Sequence, residues 1–235
     1  RVLALPVEGL PLRPLEPLIR DPDERERGTL FHEIMANFLS CDPDLANETE
    51  AAQKLRTIAN DVFVAQQLPH DIHALWWPRF DELIPDIIAM ERGRKEHVAQ
   101  SFVEIKAYAT KIAETGVTLS GRADRIDVLA DNRGLDIIDY KTGSTNTAAQ
   151  ARKLVEPQLA LEAALAKKGA FREFDIRHVN DLAYYRLQSR GNVTLDRLTS
   201  GKEVNSADAL GDLAWHRLTE LAEYYNKPEA KYVSQ

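Results

Sequence analysis

Two short stretches hold the residues best suited to chemistry: Gly121-Arg122-Ala123-Asp124-Arg125-Ile126-Asp127 and Leu135-Asp136-Ile137-Ile138-Asp139-Tyr140-Lys141-Thr142-Gly143. Both read as strands, and alternate side chains of a strand share a face, so Asp139 and Lys141 point the same way. The intervening Asp131-Asn132-Arg133-Gly134 predicts an antiparallel hairpin. A turn centred on Asn132-Arg133 sets Asp124 opposite Lys141 and Ile126 opposite Asp139, leaving Asp124 diagonal to Asp139 on one face. Asp127 and Asp136 fall on the other face by parity and are expected in solvent.

Two neighbouring carboxylates repel unless a proton or a cation separates them. A hard divalent ion such as Mg²⁺ takes oxygen ligands and keeps several waters. One such water can become a nucleophile, while the ion and a lysine stabilise charge on a phosphate. Two aspartates and a lysine are therefore equipment for phosphodiester hydrolysis. Asp-x-Lys alone is a common charge pair at a strand end. The specificity lies in the longer arrangement: Gly-Arg-x-Asp, a tight turn, then an apolar run ending in Asp-Tyr-Lys-Thr-Gly.

The elements that must position these residues follow from periodicity. Residues 1–27 carry Pro6, Pro11, Pro14, Pro17 and Pro22 and close on the charged run Asp21–Arg27, which predicts an extended leader. From Gly28 the spacing of Leu30, Phe31, Ile34, Met35, Phe38 and Leu39 is helical. Further helices are predicted over 49–66 and 71–95. Strands follow at Ser101–Thr110, Val117–Leu129 and Leu135–Tyr140. A helix should start at Pro157 and stop at Gly169, then a strand Val179–Leu187, then a helix over about 206–225 capped by Ser206. The expected organisation is a leader (1–27), an α/β domain (28–227) with a sheet covered by helices, and a short tail (228–235).

At this point the sequence resembles the RecB-like branch of the PD-(D/E)xK nucleases, whose signature is an Asp on one strand and Asp-Tyr-Lys on the next. Asp124 matches the first aspartate, Asp139 the second and Lys141 the lysine. The resemblance implies a restriction-endonuclease-like fold with a central mixed sheet flanked by helices. It implies Mg²⁺, with Mn²⁺ able to substitute, held by His32 (in the matching Gly28-Thr29-Leu30-Phe31-His32), Asp124, Asp139 and the Tyr140 backbone carbonyl. Lys141 would orient or activate the attacking water. Gln158, matching the glutamine of the family's next helix, would contact the DNA backbone. Glu162 departs from the family, which usually has Tyr four residues after that glutamine; a glutamate there would neither stack on DNA nor donate to it. His32-Glu33-Ile34-Met35-Ala36 is not a zinc-protease helix, because Ala36 stands where the second histidine belongs.

Within that branch, Leu12-Arg13-Pro14-Leu15-Glu16-Pro17-Leu18 followed by Gly28–His32 looks most like the C-terminal nuclease domain of the AddB family. The resemblance implies an exonuclease fed with unwound strands by an AddA-like partner subunit, in double-strand break repair by recombination. No Gly-Lys-Thr/Ser phosphate loop is present, so these residues contain no motor. Some AddB proteins hold an iron–sulfur cluster on four cysteines; Cys41 is the single cysteine here, which excludes that cluster and any internal disulfide.

Composition bounds the partners. With 30 basic against 37 acidic residues the net charge is −7, which argues against holding nucleic acid by bulk electrostatics. An enzyme that concentrates acid at a metal site and borrows DNA affinity from a larger assembly is compatible with it. No apolar stretch approaches the roughly 20 residues of a membrane span, and no targeting signal is evident. The expected location is the cytoplasm. The chain begins with Arg1, which predicts a segment of a longer protein, with a tag-cleaved or processed start as the alternative.

Overall fold

The computed structural model describes residues 23–143, 147–188, 192–200, 206–227 and 230. Four helices come first: α1 (Glu24–Ser40), α2 (Glu48–Ala65), α3 (His70–Asp81) and α4 (Ile84–Lys95). Three strands follow, β1 (Val98–Lys111), β2 (Thr118–Leu129) and β3 (Leu135–Lys141). Then come α5 (Ala148–Arg152), α6 (Gln158–Lys167), β4 (Val179–Gln188), β5 (Asn192–Arg197) and α7 (Ala207–Tyr225), with a single 3₁₀ turn between β2 and β3.

Within the charged run before Gly28, Asp23 caps α1 and Glu24–Arg27 form its first turn instead of an extended leader. Asp23 accepts from the Arg25 and Glu26 amides, and Glu26 returns a bond to the Asp23 amide. This reciprocal capping satisfies amides that would otherwise be orphaned. The leader's residues 1–22, and all of the tail except Ala230, lie outside the described residues. The stretch 71–95, expected as one helix, is two. The break falls at Glu82-Leu83, where α4 restarts with Pro85 in its first turn, a position proline favours. Helix α5 and strand β5 were not anticipated. α6 ends as expected at Gly169, whose φ of 73° is the left-handed conformation that glycine supplies at a helix C-terminus.

The strands form one mixed sheet in the order β1-β2-β3-β4-β5, with β3 and β4 parallel and the other neighbours antiparallel. The parallel pair requires a crossover, which α5 and α6 provide. Helices α1–α4 bury Phe31, Ile34, Phe38, Leu55, Phe80 and their neighbours against Ile138, Tyr140, Tyr185 and Leu187 on one sheet face. Helices α5–α7 bury Leu159, Ala163, Leu210 and Ala214 against Ile126, Ile137 and Tyr184 on the other. Where α7 meets α6, a Cβ on Gly211 would lie 3.0 Å from the Ala164 amide nitrogen, so the close approach depends on the missing side chain.

The β2–β3 register differs from the expected one by two residues. Arg125 pairs with Ile138, Ile126 with Ile137 and Asp127 with Asp136. The connection is four residues, Ala130–Arg133, closed by the Leu129 amide on the Gly134 carbonyl. Asp131 and Asn132 both take positive φ there, residue types that tolerate it. A shift of two preserves parity, so the face assignments of Asp124 and Asp139 survive.

Candidate active site

Regular β2–β3 pairing ends at Arg125–Ile138. One residue further the Asp124 carboxylate replaces the backbone, accepting the Tyr140 amide at 3.0 Å through Oδ2. Asp124 is thereby held over the carboxyl end of β3. Helix α1 brings His32 to the same point. Its Nε2 lies 2.8 Å from the Tyr140 carbonyl oxygen and its Nδ1 3.3 Å from Asp124 Oδ2. Gly28, one helical turn earlier, approaches Thr142, but a Cβ there would make only an ordinary 3.5 Å contact, so crowding does not demand glycine.

With an acceptor at each ring nitrogen, His32 is set up to carry two protons. Burial pulls its pKa down, but the bond to Asp124, the charges of Asp124 and Asp139 and the Tyr140 carbonyl outweigh it, and the net shift is upward.

Asp139 and Lys141 sit two residues apart on β3, on one face as parity requires. Lys141 Nζ is 2.5 Å from Asp139 Oδ2. That oxygen is out of solvent, and the Lys141 ammonium is held against it as a close ion pair. Asp139 Oδ1 accepts from Gln158 Nε2 at 2.7 Å. Burial first, and the charge of Asp124 second, raise the Asp139 carboxyl above its ordinary range; Lys141 and His32 oppose this without reversing it.

Gln158 opens α6, where the sequence placed it. Its amide nitrogen also donates to Glu162 Oε1 at 3.2 Å, so it is spent on two carboxylates, and what remains for a nucleic acid is the amide oxygen. Sequence reasoning left Glu162 without a role; in the fold it is buried beside Asp139, and burial followed by the Asp139 charge drives its pKa well up. The signal was its four-residue spacing from Gln158, which puts both on one side of α6. A cavity of about 420 Å³ opens next to the site, lined by Arg25, Thr29, His32, Lys141 and Thr142 among others, with no acidic residue among the described residues of its wall.

Asp127 and Asp136 were expected in solvent, and the structure corrects this. Both are buried, at 0% and 4% exposure, although they do face away from Asp124. Arg94 donates hydrogen bonds to Asp127 and Asp136, while Arg125 donates one to Asp127 and two to Glu91. Ser101 and Asn180 complete the set. Burial opposes ionisation of Asp127, yet Arg125 and Arg94 hold its pKa below the ordinary value. This ionic layer on the opposite face fixes the β2–β3 register that sets Asp124 against the end of β3.

The donor set suits a hard cation. Asp124, Asp139 and the Tyr140 carbonyl are oxygen donors, and His32 adds a nitrogen. Among the described residues, however, no three His, Cys, Asp or Glu side chains are close enough to hold an ion unaided. Asp124 is engaged by His32 and the Tyr140 amide, whereas Asp139 is engaged by Lys141 and Gln158.

The chain is similar to much longer proteins of Rickettsia described only as uncharacterized. It is 26% identical over 69% of its length to one from Rickettsia bellii, 23% over 81% to one from Rickettsia conorii, and 23% over 69% to one from Rickettsia felis. The matched regions are 19%, 24% and 19% of those proteins, so the chain spans less than a quarter of the relatives it matches. Among the described residues no helix is long and apolar enough to cross a membrane. The model of the PD-(D/E)XK nuclease superfamily matches residues 6–232, nearly the whole sequence, and the five-stranded mixed sheet with helices on both faces has the expected architecture: the chain belongs to the PD-(D/E)XK nuclease superfamily.

Proposed function

We propose that this chain is the nuclease domain of an AddAB-type helicase–nuclease, and that it hydrolyses DNA phosphodiesters with Mg²⁺ on strands delivered by an AddA-like partner during double-strand break repair. The observation that carries the reading is the gathering of Asp124, Asp139, Lys141, His32 and the Tyr140 carbonyl at one end of β3. Membership of a nuclease superfamily supports the reaction class. Relatives that extend far beyond the matched region support a domain within a larger machine.

In this reading Asp124, Asp139, the Tyr140 carbonyl and His32 hold the ion, which when bound would supply Lewis acidity and lower the pKa of an attacking water. His32 would ligate such an ion as the neutral ring, which would require release of a ring proton. Lys141, only part-buried, sets its Nζ beside Asp139 and lines the cavity where a phosphate would sit. There it stabilises negative charge developing on the phosphoryl oxygens and orients the attacking water. Gln158 holds the Asp139 carboxylate in place through Oδ1. Arg25, on the first turn of α1, adds a second cation to the cavity wall for a flanking phosphate.

The test is cleavage of end-labelled single-stranded DNA, duplex DNA and RNA with Mg²⁺, Mn²⁺ or EDTA, comparing the parent with Asp139→Asn. Metal-dependent cutting of DNA that the variant lacks is expected. Absence of metal-dependent cutting by the parent, alone and in complex with its helicase partner, would reduce the chain to a non-catalytic module.

A further inference from the structure

Helix α1 has a cavity on each side of its first two turns. Arg25, Gly28, Thr29 and His32 give one side to the active-site cavity, which holds the cationic side chains of Arg25 and Lys141. Glu26, Thr29 and Leu30 give the other side to a second cavity of about 240 Å³, closed by the α2–α3 connection (residues 66–69) and by Trp76 of α3. Thr29 belongs to both walls, so the two cavities meet there. They are chemically unlike. Among the described residues, the wall of the second contains no lysine, arginine or histidine, so it offers nothing to a phosphate; it is apolar at Leu30, Leu68 and Trp76 and carries two amides. Gln66 donates its amide nitrogen to Glu33 at 3.0 Å, which leaves its amide oxygen. No described residue bonds the exposed Gln67 side chain. Gln67 stands one residue past the α2 cap with a φ of 49°, the left-handed position that glycine normally fills at a helix end. A glutamine kept there against its backbone preference supplies a side chain that glycine cannot. The volume is below the roughly 300–1,000 Å³ typical of small-molecule sites and suits a single ring system.

We infer that the cavity beyond Thr29 seats an unstacked nucleobase of the strand being cut, next to the phosphate in the active-site cavity, and so selects single-stranded DNA over duplex. The inference rests on the nuclease reading above. A nucleotide is an anionic phosphate joined to a neutral, flat base with a hydrogen-bonding edge, and the two cavities flanking α1 divide along the same line. Leu30, Leu68 and Trp76 give the base an apolar bed, while the Gln66 and Gln67 amides are placed in the wall to meet its polar edge. An amide carries both donors and an acceptor, so it can pair with any base and the site tolerates sequence. In a duplex every base is stacked and paired, and reaching the cavity would cost its unstacking. A base seated on an aromatic wall contributes about 5- to 150-fold in affinity.

The experiment is equilibrium binding by fluorescence anisotropy at low salt in EDTA, which withholds the divalent ion. The probes are end-labelled oligothymidylate, an abasic strand with the same number of phosphates, and a duplex. The proteins are the parent, Gln67→Gly and Trp76→Leu, with circular dichroism to verify each fold. The parent should bind oligothymidylate about 5- to 150-fold more tightly than the abasic strand, and more tightly than the duplex. Because the phosphates are matched, that ratio should persist as salt is raised. It should shrink in both variants; Gln67→Gly relaxes the positive φ and so decides the matter even if Trp76→Leu disturbs the packing of α3. Equal binding of base-bearing and abasic strands by the parent, binding of neither, or a ratio unchanged in the folded variants overturns the base site. Cleavage of the same strands with Mg²⁺ separates the two claims. Cutting without a base preference leaves the nuclease reading standing, whereas a base preference without cutting, by the chain alone and with its helicase partner, leaves the base site and overturns the reaction.

Discussion

Removing the charge of Arg125 should damage the fold far more than its position beside the active site requires. Arg125 is 1% exposed and donates to Glu91 at 2.7 and 2.9 Å and to Asp127 at 2.7 Å. Arg125→Met keeps an unbranched apolar stem and strips the guanidinium. Asp127 retains Arg94 and Ser101, so the injury concentrates on Glu91, which is 2% exposed and loses both guanidinium bonds. Leaving one buried charge unpaired costs about 3–5 kcal/mol. For a domain of this size each kcal/mol moves the melting temperature by about 2–4 °C, so a fall of about 6–20 °C is expected. The assay is a thermal melt paired with urea denaturation. Because replacing a whole ion pair by neutral groups is close to neutral, Glu91→Gln/Arg125→Met should recover most of the loss. A single variant that loses less than about 1 kcal/mol, or a double variant as unstable as the single, would refute the reasoning.

Metal affinity should involve His32: His32→Ala removes one ligand and keeps both aspartates, so Mn²⁺ binding weakens while the melting temperature in EDTA changes little. Indistinguishable titrations would make His32 a structural residue. In EDTA, stability should fall as pH rises above the ordinary carboxyl values of 3.8 and 4.5, because Asp139 and Glu162 keep their protons longer in the folded state than in the unfolded one. Glu162→Gln should flatten that slope in urea melts; an unchanged slope would contradict it. Asp127 acts with the opposite sign, its depressed pKa giving stability that is present above 3.8 and lost as pH drops through its folded value. DNA binding by the chain should be weak and steeply salt-dependent, given its charge of −7, and Arg25→Ala should lower the salt slope by about one phosphate contact. Tight binding indifferent to salt would contradict a domain fed by a partner.

The strand parity that joined Asp124, Asp139 and Lys141 was legible because a period of two is local and insensitive to turn length. Register was not, because it depends on how many residues the connection uses. Ala130–Arg133 closes as four residues with two positive-φ positions, where the sequence Asp-Asn-Arg-Gly also suits a shorter turn. The start of α1 was written in Asp23 and Glu26, a capping signature overlooked under the charge around it. Pro85 likewise marked the break between α3 and α4. The burial of Asp127, Asp136 and Glu162 was not legible. For Asp127 and Asp136 the partner is Arg94, distant in sequence, and no local pattern announces such a match; for Glu162 the spacing from Gln158 is visible but the crowding by Asp139 is not. Short β5 gains its place by pairing with β4 and packing Val193 and Leu195 against the cluster on the α1–α4 face of the sheet.

Lys141 is the residue on which the proposed hydrolysis depends most directly. If the ion rests on Asp124, Asp139, His32 and the Tyr140 carbonyl, then Lys141→Ala removes no ligand and should leave the fold and Mn²⁺ binding nearly intact. Cleavage should fall by about 10²- to 10⁴-fold, the usual contribution of a positioned charge or proton-transfer group. The measurement is product formed from end-labelled single-stranded and duplex DNA, with Mg²⁺ and with EDTA, by parent and variant purified in parallel. Metal-dependent cutting by the parent that all but disappears in Lys141→Ala is the result expected; equal cutting by the two proteins would contradict the account.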